Sequence, residues 1–394
     1  MKEKLSNIAK ILVIDQSIGK IIGIFLDTFL AAYFYRITEE NIFYLAIYNI
    51  IGWIIATIGA FLVSDIIKRK NKVALYRFGI FVKSFYIFVI IILGEKIIDY
   101  VYLIGILYGI STATTGFPFN MIESENISIG ERSKYIGYAS VATEIVSLVV
   151  PVFLGAYITF SSYEIAAILI LVFSVLKLFL SFKIKNKNVQ APKVDLKGFY
   201  NILKQDATLK KLYIIEFLKG INRYGVMSLI VSLLIIYYTN NELELGTWTS
   251  LFSLLTIIAM FLFGKYYTKN KKKTLLLISS IIMLISFFLI LYKINLITII
   301  IYNIVYYVFM NIILKITEVD LFNYSNRDNY KDKFNTEFFI FRELFLNIGR
   351  TLGYTALLVF VGTTHELSYL NILFVFIIIS ILIVVNLSRK LKID

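Results

Sequence analysis

Residues 61–75 read FLVSDIIKRKNKVAL, and residues 261–275 read FLFGKYYTKNKKKTL. Each stretch leaves an apolar run, crosses a short basic loop and enters a second apolar run. The two align without a gap. Self-similarity at a fixed offset marks a chain built from two copies of one architecture. What that architecture is follows from the apolar runs on either side.

Hydrophobic residues make up 59% of the 394 residues and charged residues 17%. An ordinary soluble domain has about 45–50% apolar and about 25% charged residues. With a mean hydropathy of +0.79, this chain cannot cover its apolar surface with polar groups, and it reads as an all-α integral membrane protein whose partner is the lipid bilayer. The apolar stretch after the basic start MKEKLSNIAK is too long for a signal-peptide core, so it is expected to be retained as the first span. Cysteine is absent and His365 is the single histidine, which excludes disulfides and Cys/His metal clusters.

Crossing the hydrocarbon core takes about 20 apolar residues. Twelve segments meet that length, at roughly 11–35, 42–64, 73–94, 98–122, 134–160, 163–182, 212–238, 245–267, 274–293, 295–319, 336–361 and 367–388. The net charge of +14 is concentrated in alternate loops such as DIIKRKNK, GERSK, KNKKK and RDNYKDK. With a cytoplasmic N-terminus, about 27 Lys/Arg fall inside and about 3 (Arg36, Lys96, Lys293) outside. This distribution argues against a nucleic-acid partner and for cytoplasmic N- and C-termini. The Lys-rich loop between the sixth and seventh segments divides the chain into an N-terminal bundle (1–184), a central loop (185–210) and a C-terminal bundle (211–394). Within that loop Leu196, Phe199, Tyr200 and Leu203 recur at helical spacing. They predict a short amphipathic helix on the inner membrane surface, with Asp195 as its cap. A second alignment, YASVATEIVSLVVPVFLG with FFIFRELFLNIGRTLGY, sets Glu144 against Glu343.

These features resemble the major facilitator superfamily. The resemblance rests on six plus six helices, a long basic central loop and a short basic loop after the second helix of each half. In the first half that loop keeps Asp65, Arg69 and Lys70 of the family pattern. It has Phe61 and Lys68 where the family has glycine, and Lys265 replaces the acid in the second half. Pro151 and Gly155 match part of an antiporter signature in the fifth helix, with Val150 in place of a glycine. The resemblance implies twelve transmembrane helices in two pseudo-symmetric six-helix bundles. It implies rocker-switch alternating access, with Asp65, Arg69 and Lys70 as a cytoplasmic gating loop.

The apolar segments also carry charge. Glu343, Asn347 and Arg350 share one face of the eleventh segment, with Arg350 about 21 Å from its start. Arg342 lies off that face, close enough to the inner surface to snorkel. The first segment holds Lys20 and Asp27, the fifth Glu144, and the seventh Glu216, Lys219 and Arg223. A charge facing lipid at depth costs about 2.5–3.5 kcal/mol or more, so these faces look into protein or a water-filled cavity. Internal ion pairs such as Asp27 with Arg223, or Glu343 with Arg350, are one role for them. The other is function: Glu144, Asp27 and Glu343 as proton or ion coupling sites, and Arg223, Asn347, Arg350 and Lys20 lining a substrate cavity. Gly349 and Gly353 are spaced to let a neighbouring helix approach closely.

The chain has no phosphate-binding loop and no H-E-x-x-H or G-x-S-x-G motif. It is therefore expected to be neither an ATP-driven pump nor an enzyme, to use no cofactor, and to be a monomer in a bacterial plasma membrane. The expected function is proton-coupled export of a small compound. A lipid or glycolipid flippase and a non-transporting receptor or immunity protein are the alternatives.

Overall fold

The computed structural model describes residues 5–69, 71–185, 194–222, 226–325, 327, 330, 334–362 and 370–391. Every regular element among them is helical. In order these are α1 (Asn7–Ile24), a π-helical turn (Phe25–Phe29), α2 (Leu30–Ile37), α3 (Ile42–Arg69), α4 (Lys72–Leu93), α5 (Val101–Asn126), α6 (Ile129–Phe160) and α7 (Tyr163–Ser181). There follow α8 (Leu196–Gln205), α9 (Ala207–Ile221), α10 (Met227–Thr239), α11 (Glu242–Tyr266) and α12 (Lys272–Tyr292). After α13 (Leu296–Val305) a π-turn (Tyr306–Met310) leads into α14 (Asn311–Ser325). The last two are α15 (Asn335–Leu357), which continues into a π-turn (Leu358–Gly362), and α16 (Leu370–Lys390).

Polar residues set the helix starts. Ser6, Asn71, Ser162, Asp195, Asp206 and Asn295 each accept a hydrogen bond from a backbone N–H in the first turn that follows. Among the described residues ten helices are long and apolar enough to cross a membrane. They match the second to sixth and eighth to twelfth sequence segments to within a few residues. The first and seventh segments are helical too, but differ in kind: one passes through a π-turn at Phe25–Phe29, and the other contains α9 and α10, with residues 223–225 outside the description. Both carry charges along their length, which lowers their apolarity.

Apolar side chains point outward as well as inward. On α4, Phe78, Phe81, Phe85, Phe88 and Ile92 form an exposed stripe, and on α12 Ile278, Ile281, Ile285, Phe288 and Tyr292 form another. In water such stripes would be strongly unfavourable; in lipid they are solvated.

The chain forms two compact units: Met1–Glu40, Ile54–Lys193 and Asn241–Ser250 in the first, and Asn41–Trp53, Val194–Asn240 and Leu251–Asp394 in the second. In the first unit α1 packs on α6 and α7, and α4 packs on α5 and α7. In the second α9 packs on α15 and α16, and α12 packs on α13 and α16. The same four helix pairings therefore occur inside each unit, as the aligned loops at 61–75 and 261–275 imply.

Glycines set the closest approaches. A Cβ on Gly349 would overlap the Phe217 carbonyl oxygen, and one on Gly220 the Leu346 carbonyl oxygen, so α9 and α15 meet backbone to backbone. Gly353 continues the contact, with Ile221 O 3.0 Å from where its Cβ would lie. In the first unit Gly79 meets Thr114 in the same way, and Gly155 and Gly246 face the carbonyl oxygens of Glu242 and Pro151.

The amphipathic segment is helical and capped by Asp195, with the Gly198 N–H 2.8 Å from Oδ1. Phe199 and Leu203 of its apolar face turn into protein, while Tyr200 stays exposed. Phe199 is fully buried among Tyr213, Tyr330, Phe334, Phe338 and Phe341. The Asp195 N–H also donates to Glu337 Oε1 at 2.8 Å. Ring contacts within the second unit hold Phe199 of this helix.

Candidate functional site

Buried charge is organised into separate networks inside each unit. In the first, Asp15 of α1 is fully buried, and Lys177 of α7 donates to its Oδ2 and to its carbonyl oxygen, both at 2.6 Å. The Tyr76 hydroxyl of α4 donates to the same Oδ2. The rings of Tyr76 and Phe119 lie 5.7 and 5.8 Å from the Lys177 ammonium, so two aromatic faces complete its surroundings. The adjacent Gln16 donates to Glu123 Oε1 at 2.8 Å, joining α1 to α5. This network escaped the sequence reading. Asp15 lies near the start of its segment and Lys177 near the end of its own, where each reads as a loop-proximal charge.

In the second unit Glu216 and Lys219 of α9 are both buried and pair at 2.5 Å. Arg342 of α15 reaches Glu216 Oε2 and Glu343 Oε1, each at 3.1 Å. Arg342 therefore turns into the protein instead of snorkelling to the surface, because a fully desolvated carboxylate is within its reach. The partner of Glu343 is Arg342 and not Arg350. Arg350 donates to Asn347 Oδ1 at 2.6 Å, and its guanidinium lies 4.1 Å from the centre of the Trp53 ring. Glu343, Asn347 and Arg350 do share one side of α15, but they belong to two adjoining clusters.

The two units repeat one ion pair. Lys72 at the start of α4 pairs with Glu125 at the end of α5, and Lys272 at the start of α12 pairs with Asp320 of α14 at 2.7 Å. Lys72 and Lys272 occupy matching positions of the aligned loops.

Other expected residues stand apart. Glu144 is half-buried on α6, and none of the described residues makes a hydrogen bond or ion pair with it. It lines up with the buried Ser147, Pro151 and Leu154, one side of the helix, while Val141, Ile145 and Val149 form the exposed apolar side. Asp27 lies in the π-turn and is exposed, as is Lys20 on α1. Asp65 and Arg69 lie in the last turns of α3, with side chains outside the description; Lys70, Arg223 and His365 lie outside the described residues. No group of three His, Cys, Asp or Glu capable of holding a metal ion occurs among the described residues.

At the start of α9 the Asp206 carboxylate caps the helix and accepts hydrogen bonds from the Tyr324 and Tyr330 hydroxyls. Burial alone would raise its pKa; the two hydroxyls and the Leu209 and Thr208 N–H groups outweigh burial and hold it below the usual carboxylate range.

The model of the Major Facilitator Superfamily matches residues 124–327. The protein described as Uncharacterized protein YqgE from Bacillus subtilis (strain 168) is 24% identical over 349 residues, covering 86% of this chain and 79% of that protein. Among solved structures, one described as a bacterial metal transporter superposes with a TM-score of 0.65 at 13% identity, covering 98% of this chain and 99% of the other. A bacterial homologue of the iron transporter ferroportin in an inward-facing state superposes with a TM-score of 0.67 at 13% identity, covering 98% and 100%. The same homologue in an outward-facing state gives 0.65 at 12%, covering 98% and 99%. At these identities the structural likeness shows a shared fold. The family match spans more than half of the chain, and with it the chain belongs to the Major Facilitator Superfamily and is a secondary transporter of the alternating-access type.

Proposed function

We propose that the chain is a proton-coupled exporter of a small compound, in a bacterial plasma membrane with both termini cytoplasmic, built from functional halves 1–184 and 211–394 joined by the loop 185–210. The observation that carries the coupling is Glu144: a carboxylate within a spanning helix, on its packed side, with no partner among the described residues. A carboxylate in a low dielectric without a fixed cation binds and releases a proton more readily than one locked in an ion pair. Glu343 is the weaker candidate, since it is already paired with Arg342; Asp27, in the π-turn, is the third. Arg350, Asn347 and Lys20 are assigned to the substrate path, together with Arg223. Asp65, Arg69 and Lys70 are assigned to the gating loop.

Export of a metal ion is the second reading, motivated by the proteins whose fold this chain shares. Its residues favour an organic cargo instead. Cysteine is absent and histidine occurs once, so soft and imidazole donors are scarce, and no group of three His, Cys, Asp or Glu suited to a metal stands among the described residues.

The test is substrate-driven proton movement. Purified protein is reconstituted in liposomes with an internal pH dye and offered organic compounds and divalent metals, beside Glu144→Gln. The expected result is a pH change with wild type that falls by about a hundredfold in the variant, the loss expected of an essential proton carrier. An equal response in both keeps the transporter and removes Glu144 from the proton path. Silence in both, with folded protein, moves the flippase and receptor alternatives ahead.

A further inference from the structure

The register of the duplication isolates one side chain. With residue 61 set against residue 261, the exposed stripe of α4 from Phe78 to Ile92 falls position for position on that of α12 from Ile278 to Tyr292. The buried rows match as well: Tyr76, Ile87 and Ile90 correspond to Leu276, Phe287 and Ile290. At the centre of that row α12 has Met283, fully buried, and α4 has Lys83, half-buried.

Lys83 lies about 180° around α4 from the lipid-facing stripe. It is about 16 Å along the helix from Lys72, at mid-depth in a hydrocarbon layer about 30 Å thick. That is too deep for its side chain to snorkel. Met283 shows that an apolar side chain of similar length satisfies the packing at the matching point of the second unit. The charge on α4 is therefore not a demand of the packing.

No described residue makes a hydrogen bond, ion pair or ring contact with the Lys83 ammonium. Lys177 of α7 repels it, while Asp27 of the π-turn and Asp15 of α1 attract it without contact. Asp15 is already held by Lys177 and Tyr76. Within α5 no charged residue precedes Glu123, and within α7 none lies between Glu164 and Lys177. Neither helix packed on α4 thus offers a counter-ion at this depth. A charge inside the membrane is costly unless paired, and this one is neither paired nor turned to lipid. An ammonium in such surroundings gives up and takes a proton more readily than one locked in an ion pair, as Lys177 is.

We propose that Lys83 is a proton-exchanging residue of the first unit. Its N–H bond breaks with the electron pair left on nitrogen, the proton passes to water, and the reverse step restores the ammonium. The place of this exchange in transport rests on the proton-coupled reading above; the exchange itself does not.

Exchange is read from stability, without flux. Thermal unfolding of purified full-length protein in detergent is followed from about pH 6 to about pH 9.5, below the ordinary lysine range. Wild type, Lys83→Met and Lys83→Arg are compared. Met283 at the matching position makes Lys83→Met a substitution the fold is expected to accept, and Lys83→Gln stands in if it does not. Arginine stays charged throughout. Burial penalises the ammonium and not the amine. The unfolded chain therefore holds this proton over a wider pH range, and wild type gains stability as the pH rises. Every other titrating group is common to the three proteins. Wild type is expected to gain on Lys83→Met by about 2 °C or more between the two ends of the range, while Lys83→Arg keeps a constant gap. A wild-type gap that is equally constant overturns the proposal. In the liposome assay Lys83→Met is expected to reduce proton movement about tenfold or more. A changing gap with undiminished proton movement keeps the exchange and removes Lys83 from the transport cycle. Silence of wild type in that assay defeats the proton-coupled reading instead, and the unfolding result still decides exchange at Lys83.

Discussion

A single buried carboxylate shows how much depends on one partner. Asp15 is fully buried and Lys177 nearly so, and three helices meet on the Asp15 Oδ2 atom. Removing only the ammonium leaves a desolvated charge, which costs about 3–5 kcal/mol, whereas removing both charges costs far less. Lys177→Met is therefore expected to lower the thermal midpoint in detergent sharply, and Asp15→Asn with Lys177→Met to recover most of it. A double variant as unstable as the single one would mean that the pair acts through more than its charge. The sequence made Glu343, Asn347 and Arg350 visible because they interrupt a long apolar run at helical spacing. It could not show that Arg342 would take Glu343, since which of two arginines pairs with a carboxylate depends on where α9 places Glu216. Nor could spacing show that Trp53 lies beneath Arg350, because that contact joins residues almost three hundred positions apart.

Among elements, the contact between α9 and α15 is the most exacting. Gly220 and Gly349 each face a carbonyl oxygen of the other helix, leaving no room for a methyl group. Gly349→Ala is expected to push the helices apart and cost about 1–3 kcal/mol. Gly116→Ala on α5, where nothing lies within 4 Å of the added Cβ, is expected to be neutral or to stabilise by up to about 1 kcal/mol through helix propensity. Thermal unfolding of the two variants in one detergent checks both, and equal midpoints would contradict the close packing. The close approach at Gly349 and Gly353 was legible from their spacing of four. That α9 supplies the matching Gly220 was not, because a lone glycine in a helix carries no address for its partner. The ten long helices were legible because length and apolarity alone decide them. The first and seventh segments were harder: their charges dilute the apolar signal, and the π-turn at Phe25–Phe29 has no proline to announce it. For α8, the periodicity gave the helix and its buried stripe, but a stripe suits a lipid surface and an aromatic pocket equally well; Phe199 settles on rings of the second unit.

At the scale of the whole molecule, the recurrence of four helix pairings and one Lys–acid pair in both units indicates duplication, and duplication has a consequence for the membrane path. If each half crosses the same number of times, α9 and α10 together must cross once, as the first segment would. The ten long helices alone do not decide this. Lys183, just beyond α7, and Glu244, in the first turn of α11, are both exposed, and the described residues between them form α8, α9 and α10. The chain has no cysteine, so single cysteines report without background. Lys183→Cys is expected to resist a membrane-impermeant maleimide in intact bacterial cells and to react after lysis, and Glu244→Cys to react in intact cells. The asymmetry of basic loops is the ground for expecting this orientation, and a crossing by α9 and α10 would make the two sites differ. Labelling of both sites from one side would show that α9 and α10 together do not span, and the two halves would then not be copies in the membrane. Lys183→Cys exposed with Glu244→Cys protected would instead invert the whole chain, and the Lys72–Glu125 and Lys272–Asp320 pairs would then lie at the outer surface.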